Sequence, residues 1–176
     1  MKSKNKVVKF VLYVLFFLAL IAGDQVVKYI TDMKLSPLGS TIPVIQDVFH
    51  FTSVHNTGAA FSMFSNSFIF LIIIRIIACG IIAYCLVRYN DKLHTLLRIY
   101  VIMILAGAIG NLIDQIVIGY VRDMFDFRLI NFAVFNMADS YISIAFVLFA
   151  FDILFGKGKN LFDGIGKTED ISSTKL

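Results

Sequence analysis

The segment LRIYVIMILAGAIGNLIDQIVI, residues 97–118, decides the fold because it is long enough to cross a membrane yet carries a carboxyl group near one end. About 20 apolar residues span a bilayer as a helix. Three further stretches qualify, at about 10–30, 68–87 and 135–155. The 176-residue chain is 59% hydrophobic with a mean hydropathy of +0.83, too apolar for a soluble globule. Lipid offers the backbone no hydrogen-bond partner and so admits only helices or closed barrels. The alternation of a barrel strand is missing, so we expect an all-α membrane protein with four transmembrane helices.

Basic residues indicate how these stretches are oriented. They precede the first stretch, separate the second from the third and follow the fourth: Lys2, Lys4, Lys6, Lys9, Arg88, Lys92, Arg98, Lys157 and Lys159. Since cytoplasmic segments of membrane proteins carry the excess of Lys and Arg, both termini are predicted to be cytoplasmic. The connections 31–67 and 119–134 then lie outside. The net charge of +4 follows from this topology and does not indicate a nucleic-acid partner.

The segments outside the apolar stretches differ in character. Residues 42–54, IPVIQDVFHFTSV, are rich in β-branched and aromatic types and partly alternate with polar residues, which predicts short strands on the outer surface. Residues 156–176 are rich in Gly, Lys and Ser and are predicted to form a flexible cytoplasmic tail. Residues 1–155 are therefore predicted to be a single transmembrane domain.

The polar residues of the apolar stretches cluster at one predicted depth, in the outer leaflet. The first and third stretches run outward and the fourth runs inward, so their acidic ends meet on the same side. Spacings of three and four residues place each set on one helix face. The sets are Asp24 and Lys28; Gly107, Asn111 and Asp114; and Asn136 and Asp139, with Asp123 in the connection between the last two stretches.

Carboxyl groups at bilayer depth favour a functional site. Each costs about 2.5 kcal/mol or more to insert, so it normally faces a protein interior or a watery cavity. Two carboxyls held close together cannot both ionise, and such a pair can present an acid and a base to one amide bond. Spacing alone leaves open a polar network that only joins helices. A proton- or cation-coupled transporter is a further alternative, although it predicts carboxylates spread through the membrane depth.

The remaining polar residues give weaker signals. His50, His55 and His94 form no HExxH arrangement, and no serine or cysteine lies in a nucleophile motif, so neither a metal nor a cofactor is predicted. Arg75 lies several residues inside the second stretch. We expect it either to extend its side chain to the membrane interface or to pair with a carboxylate inside the bundle.

Five short motifs together resemble those of one family. They are Asp24-Gln-Val-Val-Lys28, Asn56-Thr-Gly-Ala-Ala-Phe61, Gly107-Ala-Ile-Gly-Asn-Leu-Ile-Asp114, Val121-Arg-Asp123 and Phe135-Asn-Met-Ala-Asp139. With these motifs in a four-span layout over nearly its whole length, the chain resembles the lipoprotein signal peptidases. These type II signal peptidases are aspartic proteases of the bacterial cytoplasmic membrane.

The resemblance implies an activity and a set of site residues. Asp123 and Asp139 match the catalytic dyad, in an active site near the outer leaflet. Enzymes of this family cleave a prolipoprotein just before a cysteine that carries diacylglycerol, so membrane lipid and globomycin-like cyclic peptides are expected ligands. The implied fold adds a small β-cradle from the first outer connection and a short helix in the second. The positions that shape the site or contact substrate are Asp24, Lys28, Asn56, Gly107, Asn111, Asp114, Gln115 and Asn136.

The chain departs from the family pattern at two places. Gln115 stands where the family usually has Arg, which keeps hydrogen-bond donors but loses the charge and the bidentate fork. Arg122-Asp123-Met124 stands where Val-Asp-Phe is common, and the nearby Asp126 offers a rival alignment. The segment Gly119-Tyr-Val-Arg-Asp123 keeps the family's usual interval from Gly to the catalytic Asp. This interval favours Asp123 over Asp126 as the dyad member.

Overall fold

The computed structural model describes residues 2–57, 68–90 and 92–156. Its helices and strands follow one another as α1 Lys2–Lys34, β1 Thr41–Ile45, β2 Phe49–Asn56, α2 Phe68–Arg88, α3 Thr95–Val117, β3 Val121–Asp126, a short 3₁₀ helix Arg128–Ile130, and α4 Met137–Phe155. The predicted tail beyond residue 156 and the Asn56-to-Phe61 motif beyond Thr57 lie outside the described residues.

The fold is mostly helical and suited to a membrane. Within the described ranges, three helical segments are long and apolar enough to cross a bilayer: Asn5–Lys34, Thr95–Val117 and Met137–Phe155. Their outward faces carry large apolar side chains, such as Phe10 at 67% exposure and Val147 at 65%. Such faces are favourable against lipid and unfavourable against water. This confirms the predicted membrane class, while the count of four crossings stays a prediction for α2.

The helix ends differ from the predicted stretches because hydrophobicity does not define where helical hydrogen bonding stops. α1 extends past the apolar stretch at both ends and reaches Lys34. α4 begins at Met137 because Asn136 caps it, with the Asn136 side chain accepting a hydrogen bond from the backbone nitrogen of Asp139. The cap therefore ties the start of α4 to a predicted site residue.

Helix α3 lies at the centre and contacts each of the other helices. Two glycines permit its closest approaches. A Cβ at Gly107 would overlap the Ala138 carbonyl oxygen and lie 2.8 Å from Cγ1 of Ile142 on α4, and one at Gly110 would lie 2.6 Å from Oδ2 of Asp24 on α1. Gly107 is therefore a packing residue that brings the polar end of α3 against α1 and α4.

A three-stranded antiparallel sheet in the order β1-β2-β3 lies beside the helices. The first two strands confirm the cradle predicted for the segment between α1 and α2. The third strand, Val121–Asp126, goes beyond the prediction, which placed these residues in the connection 119–134. Pairing with β2, which sets Val54 opposite Asp123 and Asn56 opposite Val121, makes this segment a strand.

Aromatic packing joins the sheet to the start of α4. The ring centroids of Phe51 and Phe125 lie 5.8 Å apart, and those of Phe125 and Phe135 lie 5.5 Å apart. The backbone nitrogen of Phe125 also donates to the carbonyl oxygen of Phe135 at 2.8 Å. Since Phe135 immediately precedes the α4 cap, these contacts fix β3 next to the first turn of α4.

Candidate active site

Asn136 links the two carboxyl groups of the predicted dyad. Its side-chain Nδ2 donates to Oδ1 of Asp123 at 2.6 Å, and its backbone nitrogen donates to Oδ2 of Asp139 at 3.2 Å. In return, its Oδ1 accepts from the backbone nitrogen of Asp139 at 2.9 Å, which completes a capping box. One buried residue therefore holds a carboxyl of β3 and a carboxyl of α4 in the same site.

Asp123 lies on β3 with only 3% of its surface exposed. Besides the bond from Asn136, its Oδ2 accepts from Nδ2 of Asn56 at 2.9 Å. Burial raises the pKa of Asp123 from 3.8 to about 6, with the nearby Asp139 acting in the same direction and the hydrogen bond from Asn56 opposing it. A proton is therefore held in this carboxyl pair more tightly than in an ordinary aspartate.

Asp139 lies in the first turn of α4, and its Oδ1 accepts from Nδ2 of Asn111 at 2.7 Å. Each oxygen of each dyad carboxyl thus receives a hydrogen bond from an amide, while a carboxylate has about four acceptor positions in all. The amides orient the two carboxyls without adding a charge, and they leave acceptor capacity for a water molecule.

Lys28 and Asp24 support the site from α1. Both are fully buried, with Lys28 Nζ 2.8 Å from Oδ2 of Asp24 and 3.5 Å from Oδ2 of Asp114. Oδ1 of Asp24 accepts from the backbone nitrogen of Ala138 at 3.0 Å. These contacts join α1 to the first turn of α4 and to the end of α3. Asp24 and Lys28 thus act as a polar network that holds helices together.

Arg122 was missed as a site residue. Its Nη2 lies 2.7 Å from Oδ1 of Asp114, its Nε lies 3.2 Å from Oδ2, and its backbone nitrogen donates to Oδ2 at 3.0 Å. Nη2 also donates to Oε1 of Gln25 at 3.0 Å. Because neighbouring residues of a strand point to opposite faces, Arg122 anchors β3 to α3 while Asp123 faces Asn136.

Asp126 lies apart from the dyad. It accepts from Oγ1 of Thr52 at 2.6 Å and from Nε of Arg128 at 2.9 Å. Burial acts to raise the pKa of Asp126, but the hydrogen bonds from Thr52 and Arg128 outweigh it and hold that pKa below the usual value. The geometry thus favours Asp123 over the rival alignment, because Asp123 shares Asn136 with Asp139.

Arg75 and Gln115 form a contact that neither expectation for Arg75 included. Gln115 is buried on α3, and its Oε1 accepts a hydrogen bond from Nη1 of Arg75 on α2. The described partner of Arg75 is thus a neutral amide rather than the membrane interface or a carboxylate. Nε2 of Gln115 has no hydrogen-bond partner among the described residues.

His94 and His55 have described partners other than the dyad carboxyls. Nε2 of His94 is 2.7 Å from Oδ2 of Asp152, while Nε2 of His55 is 3.7 Å from Oδ1 of Asp32 and its ring stacks on Tyr120. Within the ranges that the structure covers, no group of three or more His, Cys, Asp or Glu side chains could hold a metal ion.

Comparisons with known proteins agree on one family. The family described as Signal peptidase (SPase) II matches residues 16–155. Proteins named Lipoprotein signal peptidase from Trichormus variabilis and Clostridioides difficile are 42% identical over 153 residues and 40% identical over 149 residues. The first alignment covers 84% of this chain and 89% of the relative, and the second covers 85% and 99%.

Solved structures show the same architecture. One titled "Bacterial membrane enzyme structure by the in meso method at 1.9 A resolution" has a TM-score of 0.72 at 30% identity, covering 81% of this chain and 92% of that chain. A second with the same wording at 2.3 A has a TM-score of 0.71 at 28% identity and covers 93% of both chains.

Proposed function

The chain belongs to the signal peptidase II family, a family of membrane proteases, and we propose that it removes signal peptides from diacylglyceryl-modified prolipoproteins with Asp123 and Asp139 as its catalytic dyad. The observation that carries the assignment of the dyad is the shared contact with Asn136, which hydrogen-bonds to both carboxyls. Asp24 and Asp114, the other carboxyls of the cluster, are instead paired with Lys28 and Arg122.

The proposed reaction is direct attack by water on the peptide carbonyl before the lipidated cysteine. The dyad shares one proton, so its ionised carboxylate takes a proton from the attacking water. The protonated carboxyl polarises the scissile carbonyl and then supplies a proton to the leaving amine. The raised pKa of Asp123 supports a retained proton at this site, and the proton belongs to the pair rather than to one residue.

We propose four membrane crossings, with α2 as the one that adds to the three apolar helices described above, in a single domain extending to about residue 155. Basic residues at the chain ends and between α2 and α3 support cytoplasmic termini. This orientation puts the dyad near the outer leaflet of the bacterial cytoplasmic membrane. The signal peptide would reach the dyad from the bilayer while the two acyl chains of the substrate stay in lipid. A globomycin-like cyclic peptide is the inhibitor that suits such a site.

A proton- or cation-coupled transporter is not favoured. Asp24, Asp114 and Asp139 meet in one network beside the sheet, and Asp152 on α4 pairs separately with His94, so the described carboxylates do not form a continuous path along the helices. Membership of a protease family points the same way.

The deciding experiment is incubation of the purified protein with a lipidated prolipoprotein and with the same precursor lacking the diacylglycerol. We expect cleavage before the cysteine of the lipidated precursor only, detected as a mass change. Equal cleavage of both precursors would contradict the proposed specificity, and cleavage of neither would contradict the proposed activity.

A further inference from the structure

An apolar groove lies between α1 and α2, at the other end of α3 from the dyad. Both helices pack against α3, and Ile102 and Leu105 of α3 line the groove between them. Its volume is about 300 Å³, and its walls include Phe10 of α1 and Val87 of α2, whose side chains are exposed on the outside of the bundle. Since most of the lining is apolar, a hydrocarbon chain is favourable in the groove and water is not.

Arg98 lies at the end of this groove nearest the α2–α3 connection, where neutral oxygens hold it. Its Nη1 donates to the hydroxyl oxygen of Tyr13 at 3.0 Å. Its Nη2 donates to the backbone carbonyl oxygens of Asn90 at 2.6 Å and of Leu93 at 2.9 Å. A guanidinium has more N–H groups than these bonds use, and Nε of Arg98 has no hydrogen-bond partner among the described residues. The bonds therefore fix the position of the positive charge without neutralising it.

The surroundings of Arg98 also leave its charge uncompensated. Among the described residues at this end of the bundle, the carboxyl group belongs to Asp152, which lies 2.7 Å from Nε2 of His94 instead. The first turn of α3, which contains Arg98, has no acidic residue, and a cation there opposes the helix dipole. Lys9 and Lys92, on α1 and in the α2–α3 connection, add further positive charge at this end. The groove thus combines an apolar wall with a cation that favours an anion.

We propose that this groove binds an anionic phospholipid of the cytoplasmic leaflet, with the phosphate facing Arg98 and one acyl chain between α1 and α2. Basic side chains between transmembrane helices on the cytoplasmic side suit anionic lipid headgroups. A zwitterionic phospholipid brings its own cation beside the phosphate, so it compensates the charge of Arg98 less well. The proposal depends on the cytoplasmic position of the α2–α3 connection and does not depend on the cleavage activity.

The test is native mass spectrometry of the full chain in detergent, titrated with phosphatidylglycerol and with phosphatidylcholine that carries the same acyl chains. We expect the first phosphatidylglycerol to bind about fivefold more tightly, as one basic side chain near an anionic headgroup predicts. Arg98→Gln should remove this difference. Lys34→Gln removes a cation at the other end of α1 and should keep it. Equal affinities for the two lipids in the wild type, an unchanged difference in Arg98→Gln, or its loss in Lys34→Gln overturns the proposal.

A second variant tests the groove and leaves the contacts of Arg98 in place. Ala83 of α2 lines the groove, so Ala83→Phe should fill part of it. Excluding about two methylene groups of the acyl chain should lower the affinity for phosphatidylglycerol about tenfold. The thermal unfolding midpoint in lipid-free detergent should stay at the wild-type value. This variant decides the matter even if Arg98→Gln is poorly folded, and an unchanged affinity in Ala83→Phe contradicts the proposal.

Photolabelling locates the bound chain. A phosphatidylglycerol with a diazirine in one acyl chain should label Phe10 and Val87 in preference to Leu154, a similarly exposed apolar residue at the same end of the bundle on α4. Phosphatidylcholine with the same diazirine chain should show a weaker preference. Equal labelling of the three residues by phosphatidylglycerol would show that lipid covers this end of the bundle without a specific site.

Discussion

Lys28 helps to set which way the amide of Asn111 faces, together with Asn136, which donates to the same Oδ1. Nζ of Lys28 donates to Oδ1 of Asn111 at 3.0 Å, so the amide nitrogen of Asn111 is turned to the other side, where it donates to Asp139 at 2.7 Å. An ammonium group cannot accept a hydrogen bond, so the reversed amide would face a donor with a donor. A residue of α1 that does not hydrogen-bond to the dyad thus orients a residue that does.

Lys28→Met should therefore impair both stability and cleavage. Removing one partner of a buried ion pair leaves an uncompensated charge on Asp24 and lowers the free energy of unfolding by about 3 kcal/mol. The double variant Lys28→Met with Asp24→Asn removes that charge and should recover part of the loss. Denaturation in detergent measures the first effect and cleavage of a lipidated precursor the second. Equal stability of the single and double variants would show that the charge is compensated elsewhere.

Asp123→Asn and Asp139→Asn should each reduce cleavage by about 10³-fold or more, because an amide can neither take a proton from water nor return one to the amine. The double variant should be little worse than either single one, since the two carboxyls act as a unit. Asp126→Asn is the matched control on the same strand and should stay within a few-fold of wild type. Inactivation by Asp126→Asn with an active Asp123→Asn would show that the wrong carboxyl of β3 has been assigned.

Gly107→Ala should loosen the contact between α3 and α4. The added methyl overlaps the Ala138 carbonyl oxygen, and relieving such overpacking costs about 1–3 kcal/mol. Because Ala138 precedes Asp139, cleavage should fall as well. Gly80→Ala is the control, since a Cβ there meets nothing within 4 Å and alanine favours the helix. Thermal unfolding of both variants checks this, and equal midpoints would contradict the close approach at Gly107.

The raised pKa of Asp123 predicts how stability depends on pH. A carboxyl whose pKa rises from 3.8 to about 6 on folding binds its proton more tightly in the folded state. Its contribution to stability is fully present below pH 3.8 and is lost as the pH rises through about 6, by about 2–3 kcal/mol. Unfolding midpoints between pH 4 and 7 should show this slope in the wild type but not in Asp123→Asn. The same slope in both proteins would assign it to another group.

Much of the helical framework was predictable because the formation of each helix depends on its own local sequence. A stretch of about 20 apolar residues without the alternation of a barrel strand satisfies its backbone in lipid as a helix, whatever the rest of the chain does. The spacing of Asn111 with Asp114 and of Asn136 with Asp139 placed each pair on one face for the same reason. Family motifs then singled out Asp123, which spacing alone could not prefer over Asp114 or Asp126.

The sequence by itself thus determined the membrane class, the apolar helices and the residue types of the site. Only the tertiary structure decided that Val121–Asp126 is a strand, that Arg122 pairs with Asp114, and that Arg75 meets Gln115. The strand depends on pairing of β3 with β2, and the contact of Arg75 with Gln115 on packing of α2 against α3, both between segments far apart in the chain. The Arg122–Asp114 pair depends on how the chain turns between α3 and β3. Local propensity carries no information about which distant partner will accept a hydrogen bond or balance a buried charge.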